Sequence, residues 1–316
     1  MALRRLISLP ALAAAALLGT VLVGILDASS ETSDVAMFAR AGATLLSSHG
    51  LHAYAGEEVQ AGPLELALVG ALHAVGGGQT LLAVLLDVVC TAIVFAAAYV
   101  LLDRRPPSLA LFAAGAFALW LPGTGYDGHP AEPLIAVLWL FAAREARRGR
   151  PTVAGLLVGV SGCLELWGIL GVTALALAPR LRRCAPGLAI AGTLPALALL
   201  PFVLGGDFHM FQLTWPIEAG IPLLLFGGGA FTWPMRLAEA AVVVGAGGAV
   251  ARATRRYELS IWLVPAVTAL VRIACDPVDY GYYWATPLVI CLVGAVQLVA
   301  RRHELAAWMT ARLRPA

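Results

Sequence analysis

Apolar runs approaching the roughly 20 residues that a helix needs to cross a bilayer recur along this chain. They lie at 6–26, 79–102, 107–121, 132–146, 186–204, 236–253, 258–274 and 283–300. A longer run, 152–179, is interrupted midway by Glu165 and Trp167, which predicts two short helices meeting at one membrane face. Hydrocarbon offers backbone polar groups no water, so only helices and closed barrels span it. The pattern predicts an all-α fold, a polytopic transmembrane helical bundle of about ten crossings. With no internal repeat and no soluble stretch, residues 1–316 read as a single integral membrane domain.

Composition points the same way. Hydrophobic residues make up 60% of the chain and charged residues 13%, against roughly 45–50% and 25% in soluble domains. The net charge of +2 and the scatter of the basic residues, all of them Arg, argue against a nucleic-acid partner. Five cysteines without CxxC spacing point to neither a disulfide framework nor a zinc site. Arg4 and Arg5 precede an apolar run longer than the roughly 7–15 residues of a signal-peptide core, so it is read as an uncleaved first span.

Short Arg-rich loops stay cytoplasmic. With alternating crossings, Arg4-Arg5, Arg104-Arg105, 144–150, 180–183, 252–256 and Arg301-Arg302 all fall on one side. This predicts a multi-pass plasma membrane protein with both termini in the cytoplasm. The loops left outside, 27–62, 122–131, 205–235 and 275–282, collect acids, histidines and aromatics. Only Arg40, Arg236 and Arg272 reach that face. In the first extracytoplasmic loop, 27–62, apolar residues at Val35, Phe38, Ala39, Leu45 and Leu46 predict a juxtamembrane helix over 35–48. The stretch 63–76 is apolar but too short to cross comfortably, and predicts a half-buried helix ended by Gly76-Gly77-Gly78.

The first loop reads Glu31-Thr32-Ser33-Asp34, then Phe38, Arg40 and Gly42, then Leu51-His52-Ala53-Tyr54, and closes on Gly62-Pro63-Leu64. Gly128-His129-Pro130 with Glu132, Ala154-Gly155-Leu156-Leu157-Val158-Gly159 and Asp279-Tyr280-Gly281-Tyr282-Tyr283 follow in order. This arrangement resembles the GT-C type polytopic membrane glycosyltransferases, especially the bacterial polyprenyl-phosphate-sugar-dependent mannosyltransferase branch. Three departures stand out: the chain is short for that family, Gly62 replaces the first Pro of a Pro-Pro-Leu motif, and the acids are spaced E-x-x-D.

The resemblance implies transfer of a sugar, mannose or arabinose, from a polyprenyl-phosphate carrier to a glycan or glycolipid acceptor of the cell envelope. Such chemistry needs a carboxylate near the acceptor hydroxyl and cations for the leaving phosphate. The resemblance puts Asp34 in the base position, with Glu31 as its substitute if the register shifts. Arg40 and Arg272 are the candidates for phosphate contact. The substrate cavity is expected to draw on His52, Tyr54, Asp127, His129, Glu165, Asp279, Tyr282 and Tyr283. The implied partners are membrane lipids, the polyprenyl-phosphate sugar and its acceptor. No cofactor is assigned beyond the polyprenyl-phosphate-linked sugar as donor, and no metal site is assigned. A divalent metal stays open, but Asp207 and His209 supply only two ligands.

Each residue also has a plainer reading. Asp34 suits a helix N-cap, Arg40 suits a headgroup contact, and Arg272 suits a pair with Asp276 or Asp279. Asp127 and His129 flank a turn glycine. Trp215, Trp233, Tyr282, Tyr283 and Trp284 suit an interfacial aromatic belt. Asp87, Glu165 and Glu239 lie inside apolar runs, where ionisable groups mark either function or helix-packing hydrogen bonds. Two rival functions fit the same features: a transporter or lipid flippase, and a catalytically inactive partner subunit.

Overall fold

The computed structural model describes residues 8–27, 34–56, 58–76, 78–119, 121 and 129–300. Of the candidate residues, Glu31 and Asp127 lie outside these, as do both ends of the chain.

The chain is mostly helical. Its α-helices are α1 Leu9–Asp27, α2 Val35–Leu45, α3 Pro63–His73, α4 Gly78–Leu101, α5 Pro106–Ala118, α6 Ala131–Arg147, α7 Pro151–Leu164, α8 Ala185–Gly205, α9 Gly220–Phe226, α10 Trp233–Thr254, α11 Ser260–Cys275 and α12 Ala285–Ala300. Proline begins α3, α5, α7 and α10 within the first two positions, where its missing N–H leaves no bond unmade. Among the described residues four helical segments, Gly78–Leu101, Leu181–Gly205, Trp233–Thr254 and Gly281–Ala300, are long and apolar enough to cross a membrane. The helices α5, α6, α7 and α11 have 13, 17, 14 and 16 residues. At about 1.5 Å per residue they reach roughly 20–26 Å, less than a hydrocarbon core of about 30 Å.

Successive long helices alternate in direction, and contacts gather the turns at two ends. At one end lie the Arg-rich turns. Arg144 Nη1 donates to Val100 O at 3.1 Å, Arg147 Nη1 donates to Arg255 O at 3.0 Å, and Gln297 Nε2 donates to Leu101 O at 3.1 Å. The opposite end holds α2, α3, the start of α6, the end of α11 and the start of α12. There α2 and α3 cross so closely that a Cβ on Gly42 would lie 2.4 Å from Leu66 O, and one on Gly70 2.5 Å from Gly42 O. Both of those short helices fall where the apolar spacing puts them, with α2 ending at Leu45 rather than at 48.

The interruption at Glu165 is a break in the chain direction. The helix α7 stops at Leu164, Glu165 is extended (φ −152°, ψ 139°), and Leu166–Leu177 continues as a 3-10 helix of 12 residues. That is long for a 3-10 helix. With three residues per turn, Gly168, Gly171, Ala174 and Leu177 form one stripe, and all four are buried. The small residues let other groups in. A Cβ on Gly171 would meet the Trp139 ring at 2.3 Å, and Trp139 Nε1 donates to Gly168 O at 2.8 Å. Trp139, fully buried on α6, ties the hairpin to the main apolar core.

The loop after α8 departs from the all-α expectation. A two-residue antiparallel pair, β1 Trp215–Pro216 with β2 Ala230–Phe231, closes a hairpin that contains α9. Its base is tied to the end of α11, since Glu218 and Ala219 both donate backbone bonds to Pro277 O at 2.8 Å.

Candidate functional site

Arg272 occupies the last turn of α11 and is 4% exposed. Burying a guanidinium is costly unless it is paired, and its partners come from three other elements. Glu132, in the first turn of α6, lies at 3.3 Å, and Asp276, one turn beyond Arg272, at 3.8 Å. The rings of Trp167 and Tyr283 cover it at 4.1 and 4.0 Å. Thr286 of α12 donates its hydroxyl to Glu132, fixing that carboxyl in turn. The plainer reading of Arg272 as half of an ion pair is therefore correct for Asp276, while Asp279 accepts from Trp284 Nε1 at 3.1 Å instead.

A second arginine sits beside it. Arg236, on the first turn of α10, contacts Glu239 at 2.9 Å and Asp276 at 3.0 Å, and lies 4.2 Å from the Trp215 ring. Asp276 thus joins both guanidinium groups. Between them opens a cavity of about 470 Å³. Its polar lining is Gln60, Glu165, Arg236, Glu239 and Arg272, and its aromatic walls are Trp167, Phe211, Trp215, Trp233 and Tyr283. Three lining residues keep buried polar atoms with no hydrogen-bond partner among the described residues: Glu165 Oε2, Trp167 Nε1 and Trp233 Nε1.

The second cluster centres on Asp34. This residue begins α2, but its side chain caps nothing. His129 Nε2 donates to its Oδ2 at 3.0 Å. The carboxyl is half-exposed and the imidazole buried. The imidazole stacks on Tyr282 with ring centroids 3.7 Å apart and touches the edge of Phe38 at 5.1 Å. Tyr282 then meets Tyr283 edge to face at 4.8 Å. A continuous path of contacts, His129 to Tyr282 to Tyr283 to Arg272, joins the half-exposed carboxyl to the cavity wall.

Of the residues expected from the sequence, the cavity brings together Glu165, Arg272 and Tyr283, and the second cluster brings together Asp34, His129 and Tyr282. His52 pairs with Asp207 at 3.0 Å on an exposed surface. Tyr54 is fully buried, donates its hydroxyl to Ala61 O at 3.0 Å and packs on Phe202 and Phe208. That burial, with Glu65 nearby, holds its phenol above the usual range. Tyr280 is raised too, by partial burial and then by Glu218 and Asp34. Arg40 is exposed on α2 and, among the described residues, forms no ion pair. Asp207 goes to His52, and His209 Nδ1 donates to Ala55 O at 2.8 Å, so the two do not converge. Among the described residues no group of three His, Cys, Asp or Glu side chains could hold a metal ion.

Several site residues escaped the sequence reading. Arg236 had a signal, as one of three arginines on the arginine-poor face, and Glu239 as an acid inside an apolar run. Trp167 and Glu132 had only their neighbours, Glu165 and His129. Glu65 had the same signal as Glu239, an acid inside the apolar stretch 63–76: it is fully buried on α3 and accepts the backbone N–H of Ala131 at 3.2 Å. Comparison with family models, curated proteins and solved structures gives no match for this chain.

Proposed function

We propose that this chain is a membrane glycosyltransferase that moves a sugar from a polyprenyl-phosphate carrier to a cell-envelope acceptor. The observation that carries the reading is the half-exposed Asp34 carboxyl, bonded to a buried imidazole and linked ring by ring to a cavity lined by two arginines and four indole or phenol rings. In this reading the chain crosses the plasma membrane about ten times with both termini in the cytoplasm, and the Asp34 end faces outward. The segregation of the Arg-rich turns to the other end supports that orientation.

The acceptor hydroxyl oxygen attacks the anomeric carbon of the donor, the carbon–oxygen bond to phosphate breaks, and the lipid phosphate leaves with the electron pair. Asp34 takes the hydroxyl proton as general base. His129 holds that carboxyl in place. The growing phosphate charge needs a cation. Arg40, exposed and on the helix that Asp34 begins, is open to that contact, whereas Arg272 already faces Glu132 and Asp276.

The test is turnover by the purified full chain in nanodiscs, with polyprenyl-phosphate mannose and arabinose as donors and a mannoside acceptor. Asp34→Asn is expected to abolish transfer while leaving the protein inserted and folded. Undiminished turnover by that variant would remove Asp34 as the base. One observation favours a second reading, a transporter: the helix pair broken at Glu165 resembles the discontinuous helices of transport sites. Sugar flux into liposomes that carry the chain, without transfer, would select it.

A further inference from the structure

We infer that the cavity between α10, α11 and the Glu165 hairpin binds the uncharged ring of a sugar and excludes phosphate. The inference rests on the transferase reading for its substrate class, and assigns that reading's cavity to the glycosyl group rather than to the anion.

Charge is the first argument. Two guanidinium groups, Arg236 and Arg272, face four carboxyl groups, Glu132, Glu165, Glu239 and Asp276. Arg272 is in contact with Glu132 and Asp276, and Arg236 with Glu239 and Asp276. An entering phosphate would displace carboxylates already in place and approach Glu165, which has no cation within salt-bridge distance among the described residues. Like charges brought together in a water-poor site repel strongly.

The unmade bonds are the second. Glu165 is 8% exposed and, among the described residues, its Oε2 accepts no hydrogen bond, while the indole N–H groups of Trp167 and Trp233 donate none. Buried polar atoms without partners are costly and rare. Here one acceptor and two donors belong to residues that line the cavity, a set complementary to hydroxyl groups, each of which donates and accepts.

Shape is the third. Indole and phenol rings wall the space, and a sugar ring presents C–H faces to such rings while its hydroxyls point to the edges. The volume of about 470 Å³ lies within the roughly 300–1,000 Å³ of small-molecule sites. Arg272 and Arg236, each pinned by carboxylates and stacked on aromatic rings, act as positioning residues for those walls.

Saturation-transfer NMR on the full chain in detergent micelles, with methyl α-mannopyranoside as the probe and inorganic phosphate as competitor, tests the inference. The glycoside is expected to bind and phosphate to leave its signal unchanged. Trp233→Phe keeps the ring and removes one donor. Glu165→Gln replaces the carboxyl by an amide. Each should weaken glycoside binding roughly two- to tenfold, the cost of one hydrogen bond. Absence of glycoside binding, displacement by phosphate, or equal binding in both cavity variants would overturn the assignment. Glycoside binding without transfer in the turnover assay would sink the transferase reading and leave this one standing. Transfer without glycoside binding would do the reverse.

Discussion

The imidazole of His129 holds the carboxyl of Asp34 through a 3.0 Å hydrogen bond that spans 95 residues of chain. One partner begins α2 and the other precedes α6, so the bond joins the first loop to the body of the bundle. The same contact brings the half-exposed oxygen of Asp34 to the aromatic path that leads to the cavity. A carboxylate serving as general base contributes roughly 10²–10⁴-fold in rate.

His129→Phe preserves a flat ring for stacking on Tyr282 but removes the donor to Asp34. We expect transfer to fall by at least about tenfold, with thermal unfolding in detergent changed by no more than about 1.5 kcal/mol, the value of one hydrogen bond. His129→Asn keeps a donor and is expected to recover part of the rate. A His129→Phe chain that turns over at the normal rate would show that the imidazole does not position the carboxyl.

Gly62 has no room for a side chain, because a Cβ there would lie 2.2 Å from Cys163 O and 2.7 Å from Leu164 O. Its N–H also donates to Leu164 O at 2.6 Å. Gly62→Ala should therefore destabilise the fold by roughly 1–3 kcal/mol through overpacking, and Gly62→Pro should do so further by removing the N–H as well. Unfolding curves in mixed detergent measure both. Wild-type stability in the alanine variant would mean that the loop can be repositioned without cost.

Removal of the Arg272 guanidinium leaves Glu132 buried without its cation, while Asp276 keeps Arg236. For Arg272→Leu we expect a loss of about 3–5 kcal/mol, the usual result of breaking a buried pair from one side. Arg272→Leu combined with Glu132→Gln should regain part of that loss. Lysine in place of Arg272 restores the charge but neither the planar stacking on Trp167 and Tyr283 nor the forked donors, so Arg272→Lys should fall between wild type and Arg272→Leu. Equal stability of the leucine single and double variants would refute the coupling.

Tyr54 provides a pH signature. Its folded phenol is raised by burial and then by Glu65, while in the unfolded chain it ionises near pH 10. The folded state therefore binds more protons above that pH, so this contribution to stability is complete below about pH 10 and is lost as pH rises beyond it. Tyr54→Phe should flatten the alkaline part of the stability curve, at the cost of the bond to Ala61 O. An unchanged alkaline slope in that variant would mean that Tyr54 does not titrate with unfolding.

How much of this could be read in advance depended on the range of the interaction. Apolar runs mark helices because burial and backbone bonding are satisfied locally, so α4, α6, α8, α10, α11 and α12 fall within a few residues of the expected runs. Glu165 also announced itself, since an acid inside an apolar stretch has to break it or find a partner. The stripe of Gly168, Gly171, Ala174 and Leu177 carried a period of three that apolar counting overlooks, and with it the 3-10 geometry. Long-range pairing left no local trace: nothing near Arg272 in the chain points to Glu132, 140 residues earlier, or near Asp34 to His129. Trp215 and Trp233 read equally well as belt residues; the start of α10 places Trp233 at the cavity, and the pairing with Phe231 places Trp215 there.

The junction of the first loop with the Glu165 hairpin has a mechanical consequence. Gly62 is bonded to Leu164, and Ala61 pairs as an isolated bridge with Glu165. The segment that begins α3 and the turn that bears the cavity's acid are thus riveted together, one residue apart on each strand. Any shift of the loop would therefore have to carry that acid with it or break these two backbone links.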